Sequence, residues 1–228
     1  MSWVTLRNLA KKWRYSVIFL DLLFMALLSV RSAEAILPRC LNEGQPLNLK
    51  LYSPARSLLK DPVSVNFTLN GNILTASFQV RTPTIYAKKP LGPKEFPYQF
   101  DVVELFISVK GEASKYLPYV EYELTPHNQT FQVLVRDPRK PFENNVDKGL
   151  MSSAEFVPGG WKAEMKIDLT RLEWNGDPRM IFGNAYSVLG KKGARSYWSL
   201  YPLVQLPKPN FHQPAMFKEI FPSANCLQ

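Results

Sequence analysis

Apolar and polar residues alternate with a period of two along most of this chain. The pattern is clearest where Trp161, Ala163, Met165 and Ile167 interleave with Lys162, Glu164, Lys166 and Asp168. Successive side chains of a strand point to opposite faces, so this run predicts a strand with one buried and one wet side, opened by the turn Gly159-Gly160. Val63, Val65, Phe67 and Leu69 repeat the pattern. Asn70-Gly71 then supplies a favoured two-residue turn, and Leu74, Ala76, Phe78 and Val80 return the chain as a hairpin. The run Phe100 to Val109 differs. Val103, Leu105 and Ile107 fall on one side and Val102, Glu104 and Phe106 on the other, so both faces are largely apolar and the strand is expected to be central and covered twice. In Tyr119 to Thr125, Val120, Tyr122 and Leu124 read as inward and Tyr119, Glu121 and Glu123 as outward, and Thr130 to Val135 completes a hairpin across a Pro-His-Asn turn. Leu47 to Tyr52, Met180 to Leu189 and Ser196 to Leu200 add strands, Asp168 is placed to cap a short turn at Leu169 to Leu172, and the Pro-rich tail reads as coil. Many short strands with no long helix and no internal repeat predict an all-β fold, a two-sheet antiparallel β-sandwich.

Two stretches break the alternation. Arg81 to Gln99 is rich in proline and lysine and carries Tyr86, Phe96 and Tyr98, and a long irregular loop bearing aromatics is a candidate functional segment. Arg136 to Gly149 holds Asp137, Asn144, Asn145 and Asp147 but lacks the ligand spacing of a calcium loop, so it reads as solvated. At the start of the central strand, Asp101 and Glu104 need partners or a ligand. Their offset of three sends them to opposite faces, which disfavours a facing acid/base pair and favours structural hydrogen bonding or metal bridging.

Composition changes the picture mainly at the N-terminus. Arg7, Lys11, Lys12 and Arg14 precede the apolar run Ser16 to Val30, and Ala33-Glu34-Ala35 supplies small residues at cleavage spacing, the pattern of a secretory signal over residues 1–35. The run is shorter than the roughly 20 residues a membrane span requires, and Asp21 interrupts it, so no stable membrane insertion is expected after cleavage. Cleavage after Ala35 removes five basic and two acidic side chains and lowers the net charge from +9 to +6. The remaining residues 36–228 are expected to form a single β-sandwich domain that is secreted or periplasmic. Its positive charge is scattered, without a basic block or a nucleic-acid motif, so no nucleic-acid partner is expected. Cys40 and Cys226 stand near the two ends of the exported chain, where they could form a disulfide or remain two thiols; neither has a zinc or haem-attachment spacing.

Five segments, taken together and in order, resemble the family 9 carbohydrate-binding modules and their relatives: Tyr98 to Ile107, Gly159 to Leu169, Phe182 to Tyr186, Ser196 to Ser199 and Phe211 to Phe217. The resemblance covers roughly residues 63 to 221. It implies a sugar slot between two aromatic walls, here Tyr98, where the family has tryptophan, and Trp198, with Glu104, Asn184 and His212 on the family's polar positions; independently of the resemblance, Arg195 is a further side chain able to flank a ligand. Some family members carry structural calcium; no metal ligand is assigned in this chain. Chemically the set suits a saccharide, whose apolar C–H faces stack on rings while its hydroxyls need hydrogen-bonding side chains. Trp161 reads as core, and Trp198 as either platform or core.

Related sandwiches also carry a b-type haem between the sheets, for which Met151, Met165, Met180, His127 and His212 are the available axial ligands; no spacing among them singles out a pair. A structural or interaction domain of the cell envelope is a further alternative. An enzyme is not expected, because the sequence has no Gly-x-Ser-x-Gly elbow, no His-Glu-x-x-His, no phosphate loop and no same-face carboxylate pair.

Overall fold

A computed structural model describes residues 44–52 and 60–222. The segment expected to be a secretory signal, residues 1–35, and both cysteines lie outside the described residues. In chain order the strands are β1 (Leu47–Asn48), β2 (Lys50–Leu51), β3 (Val63–Asn70), β4 (Ile73–Arg81), β5 (Val102–Ser108), β6 (Tyr119–Leu124), β7 (Thr130–Val135), β8 (Glu143–Asn144), β9 (Leu150–Val157), β10 (Gly160–Asp168), β11 (Phe182–Leu189), β12 (Ser196–Ser199) and β13 (Lys218–Glu219). They form two antiparallel sheets. One is ordered β1-β3-β4-β10-β9 and the other β2-β12-β11-β5-β6-β7-β8, with β13 added alongside β11. Among the described residues no helix is long and apolar enough to cross a membrane.

The alternating positions of β3, β4 and β10 pack as expected against the inward row of the larger sheet. Val65, Phe67, Leu74, Phe78, Trp161 and Met165 meet Val103, Leu105, Ile107, Val120, Tyr122 and Leu124 in one buried core. The turn before β10 needs glycine twice. Gly159 has φ of 77°, and a Cβ on Gly160 would lie 1.9 Å from the carbonyl oxygen of Val80, so only a bare Cα lets β10 reach β4. Asp168 accepts a hydrogen bond from the Thr170 backbone N–H and caps the turn at Leu169–Leu172. Strand β9, at the open edge of the smaller sheet, has no counterpart in the sequence reading. Met151, paired with the outward Lys166, and Phe156, paired with the core residue Trp161, lie on opposite faces and are both half exposed, so its alternation carries little amphipathic signal.

Every residue of β5 is buried, as a central strand covered on both faces requires. On its second face Val102 and Phe106 join Tyr119, Val133, Tyr186 and Val188, and the coil from Leu203 to Phe217 lays Leu203, Phe211 and Phe217 over them. This second layer changes the reading of β6. Tyr119, Glu121 and Glu123 do point away from the core between the sheets, but they are buried rather than solvated.

The second cover also decides Trp198. Cross-strand partners share a face, and Trp198 pairs with Ser187, which pairs with Val103. Trp198 is therefore on the core side, 4% exposed, with its Nε1–H donating to Ser196 Oγ at 2.9 Å. It is core, not platform. Truncating it leaves a large void, so Trp198→Ala is expected to cost about 3–5 kcal/mol. A fall of that size in the unfolding free energy from urea titration is the check.

Candidate functional site

The second face of the larger sheet is not filled completely. Between it, the 96–98 segment and the 209–212 coil lies a cavity of about 420 Å³, within the range of about 300–1,000 Å³ usual for small-molecule sites. Register builds its floor. Glu104 of β5 sits directly opposite Glu123 of β6, and Glu121 lies diagonally from Glu104, opposite Phe106. All three carboxyls are at most 6% exposed. This arrangement corrects the expectation that no carboxylate pair shares a face. Asp101 and Glu104 do separate, but β6 brings two further acids beside Glu104.

Aromatic side chains stand around this floor. Tyr98, 43% exposed, stacks on Phe96 with ring centroids 5.5 Å apart and planes 4° apart, and Phe96 in turn contacts Phe131 of β7. Tyr197 of β12 and Phe211 line the cavity too, meeting edge-on at 6.1 Å. Tyr197 pairs with Val188, one position from Trp198, so it takes the cavity face that Trp198 cannot. The loop from Arg81 to Gln99 thus contributes to the site through Phe96 and Tyr98. Its tether is specific: the Tyr98 backbone N–H donates to Glu123 Oε2 at 2.9 Å. A Lys88–Glu95 ion pair braces the preceding turn.

Each sequence-predicted site residue has a definite place. Tyr98, Glu104, Arg195 and His212 line the cavity together, whereas Trp198 and Asn184 do not. Asn184, fully buried, locks the chain after β12 by donating to the Tyr201 carbonyl and accepting from the Tyr201 N–H. The Arg195 guanidinium donates to the Gln99 carbonyl, and its Nε is buried without a partner. His212 packs against Phe142 and Phe106, with Nδ1 2.7 Å from the Tyr119 hydroxyl and Nε2 3.9 Å from Glu121. Asp101 is structural, accepting from the backbone N–H groups of Tyr86 and Gly190. Sequence reasoning missed Glu121, Glu123, Tyr197 and Phe211. The available signal for the two acids was their period-two match to Glu104 across a short connection.

Burial dominates the electrostatics. It pushes the Glu104 carboxyl well above the ordinary range, helped by the Glu121 charge, with no hydrogen-bond donor opposing it. Glu123 is raised by burial and then by Glu104 and Glu121, against the one N–H from Tyr98. Glu121 is lifted to about 7, while burial drives His212 down to about 4, so its imidazole is neutral at pH 7. Of the potential haem ligands, His212 alone lines the cavity; Met165 is in the core, Met151 is exposed on β9, and His127 rests against Phe156. In the loop from Arg136 to Gly149, Asp137 pairs with Arg139 and Asp147 with Arg171. Among the described residues no cluster of three His, Cys, Asp or Glu is arranged to hold a metal ion.

The architecture has solved counterparts. A Bacteroides uniformis protein described as a candidate carbohydrate-binding protein superposes with a TM-score of 0.59 at 18% identity, over 76% of this chain and 83% of that one. A family 9 carbohydrate-binding module from Caldicellulosiruptor kristjanssonii in complex with cellotriose gives 0.51 at 13% identity, over 75% and 80%. A module of that family from the same organism in complex with glucose gives 0.50 at 14%, over 78% and 91%. The fold is thus the β-sandwich of the family 9 modules. No protein-family profile and no curated protein matches the sequence.

Between pH 4.5, the ordinary value for Glu121, and about 7, its value in the fold, the folded chain holds a proton that the unfolded chain has released. Folding stability contributed by this group therefore falls as pH rises through that window. Glu121→Gln removes this group's share of the pH dependence, while Glu104 and Glu123, also raised by burial, keep theirs. The variant's stability relative to the unaltered chain should grow from about pH 4.5 to about pH 7 and then level off; equal differences at pH 5 and pH 7 in urea titrations would contradict this.

Proposed function

We propose that this chain is an exported, non-catalytic carbohydrate-binding protein that holds a saccharide unit in the cavity over Glu104, Glu121 and Glu123. The observation that carries the reading is the combination in one cavity of aromatic faces with buried, under-bonded polar groups, on a fold whose solved counterparts include sugar complexes. Tyr98 and Tyr197 are the ring surfaces for the apolar sugar face. Glu104, Glu123 and Arg195 offer acceptors and donors to the hydroxyls. The second wall of the slot is assigned to Tyr197 in place of Trp198, because the register turns Trp198 into the core.

A hydrolytic role has less support. Glycoside hydrolysis needs an acid and an ionised carboxylate on either side of the scissile bond. The three glutamates project from neighbouring positions on one sheet face, so they approach any ligand from the same side. The signal-like pattern of residues 1–35 is the basis for proposing export, which fits recognition of glycans outside the cytoplasm.

Calorimetric titration with glucose and cellotriose tests the reading. Saturable binding is expected, and Tyr98→Ala and Tyr197→Ala should each weaken it roughly tenfold. For Tyr98, which is largely exposed, the midpoint of thermal unfolding should move little. Absence of binding to a broad set of mono- and oligosaccharides would refute the proposal.

A further inference from the structure

The charge balance of this cavity goes beyond generic sugar recognition. Like charges directly opposite one another on neighbouring strands repel, and Glu104 and Glu123 are such a pair, with Glu121 diagonal to Glu104 and two residues from Glu123 on the same strand. Countercharge from the protein is scarce. Arg195 is the one lysine or arginine among the lining residues; its guanidinium is committed to the Gln99 carbonyl and also faces Asp101. His212 is uncharged near neutrality and lies 3.9 Å from Glu121. Among the described residues, no lysine or arginine forms an ion pair with any of the three glutamates.

A second observation points outward to a ligand. Glu123 is fully buried and lines the cavity, and apart from the neighbouring Glu121 carboxyl, with which it can share a proton, its Oε1 meets no donor from the protein. A carboxyl oxygen held away from water without a donor is unfavourable. A sugar hydroxyl could donate to it, but a hydroxyl leaves the surplus of acid unanswered. An ammonium group answers both, since it brings three N–H donors and a full positive charge to three carboxyls. Phe106, Phe131 and Phe142 also line the cavity, and aromatic rings attract cations.

We propose that the preferred ligand carries a protonated amino group, and that the substrate class of this site is an unacetylated amino sugar of the glucosamine type. The proposal rests on the carbohydrate reading above and sharpens it. Burial favours carboxylic acids at these positions; an arriving ammonium favours carboxylates, and the displaced protons leave to solvent, so binding releases protons.

The test is calorimetric titration of the full chain at pH 7 with glucosamine, N-acetylglucosamine, glucose and ethanolamine, each in two buffers of different ionisation enthalpy. Glucosamine should bind about tenfold or more tightly than glucose and N-acetylglucosamine, with a buffer-dependent heat that reports proton release. The ratio of glucosamine to glucose affinity should fall towards unity in Glu123→Gln, whose folding is followed by thermal unfolding. Equal affinities for glucosamine and glucose overturn the amine proposal and leave the carbohydrate reading standing. Ethanolamine binding as tightly as glucosamine overturns the sugar half of the proposal, and binding of none of the sugars overturns both readings.

Discussion

The structure depends on the burial of both faces of one strand pair. Strands β5 and β6 have no exposed residue, so each alternate side chain must find a dry environment or a partner. Facing the smaller sheet this is ordinary packing of Val, Leu, Ile and Tyr. On the other face the same rule forces Glu104, Glu121 and Glu123 out of water. Carboxylates in such a setting are costly unless paired, so the coil from Leu203 to Phe217 covers most of that face and leaves a cavity over the acids.

Rigid and adjustable parts of the site are divided accordingly. The acids sit on central strands whose register fixes their spacing to the sheet repeat, which is how a scaffold holds polar groups in place without relying on flexible side chains. The rings that complete the cavity come from its periphery: Tyr98 from a loop, Tyr197 from a four-residue strand and Phe211 from coil. The acidic groups are thus carried by the sheet and most of the rings by the segments around it.

Most of the sandwich was legible because one-sided burial leaves an alternation in the sequence, as in β3, β4 and β10. Strand β9 was not legible, since neither of its faces is well buried. In β6 the alternation was read correctly as a two-faced pattern, but glutamate on one face looks the same whether that face meets water or a covering coil. Trp198 and Tyr197 show the limit for the site. Which neighbour faces the cavity depends on a pairing of Trp198 with Ser187 that no local pattern encodes, and a one-residue slip exchanges the two. Glu104, Arg195, His212 and Tyr98 were recoverable, although Asn184 of the same set holds backbone rather than facing the cavity.

One small contact ties these parts together. The amide of Tyr98 is anchored on the very oxygen pair whose other member stays open, so the rim and the base of the cavity are mechanically one unit. A hydrogen bond to a carboxylate is stronger than one to a neutral acid, so the protonation of Glu123 bears on how firmly the backbone under that exposed ring is held.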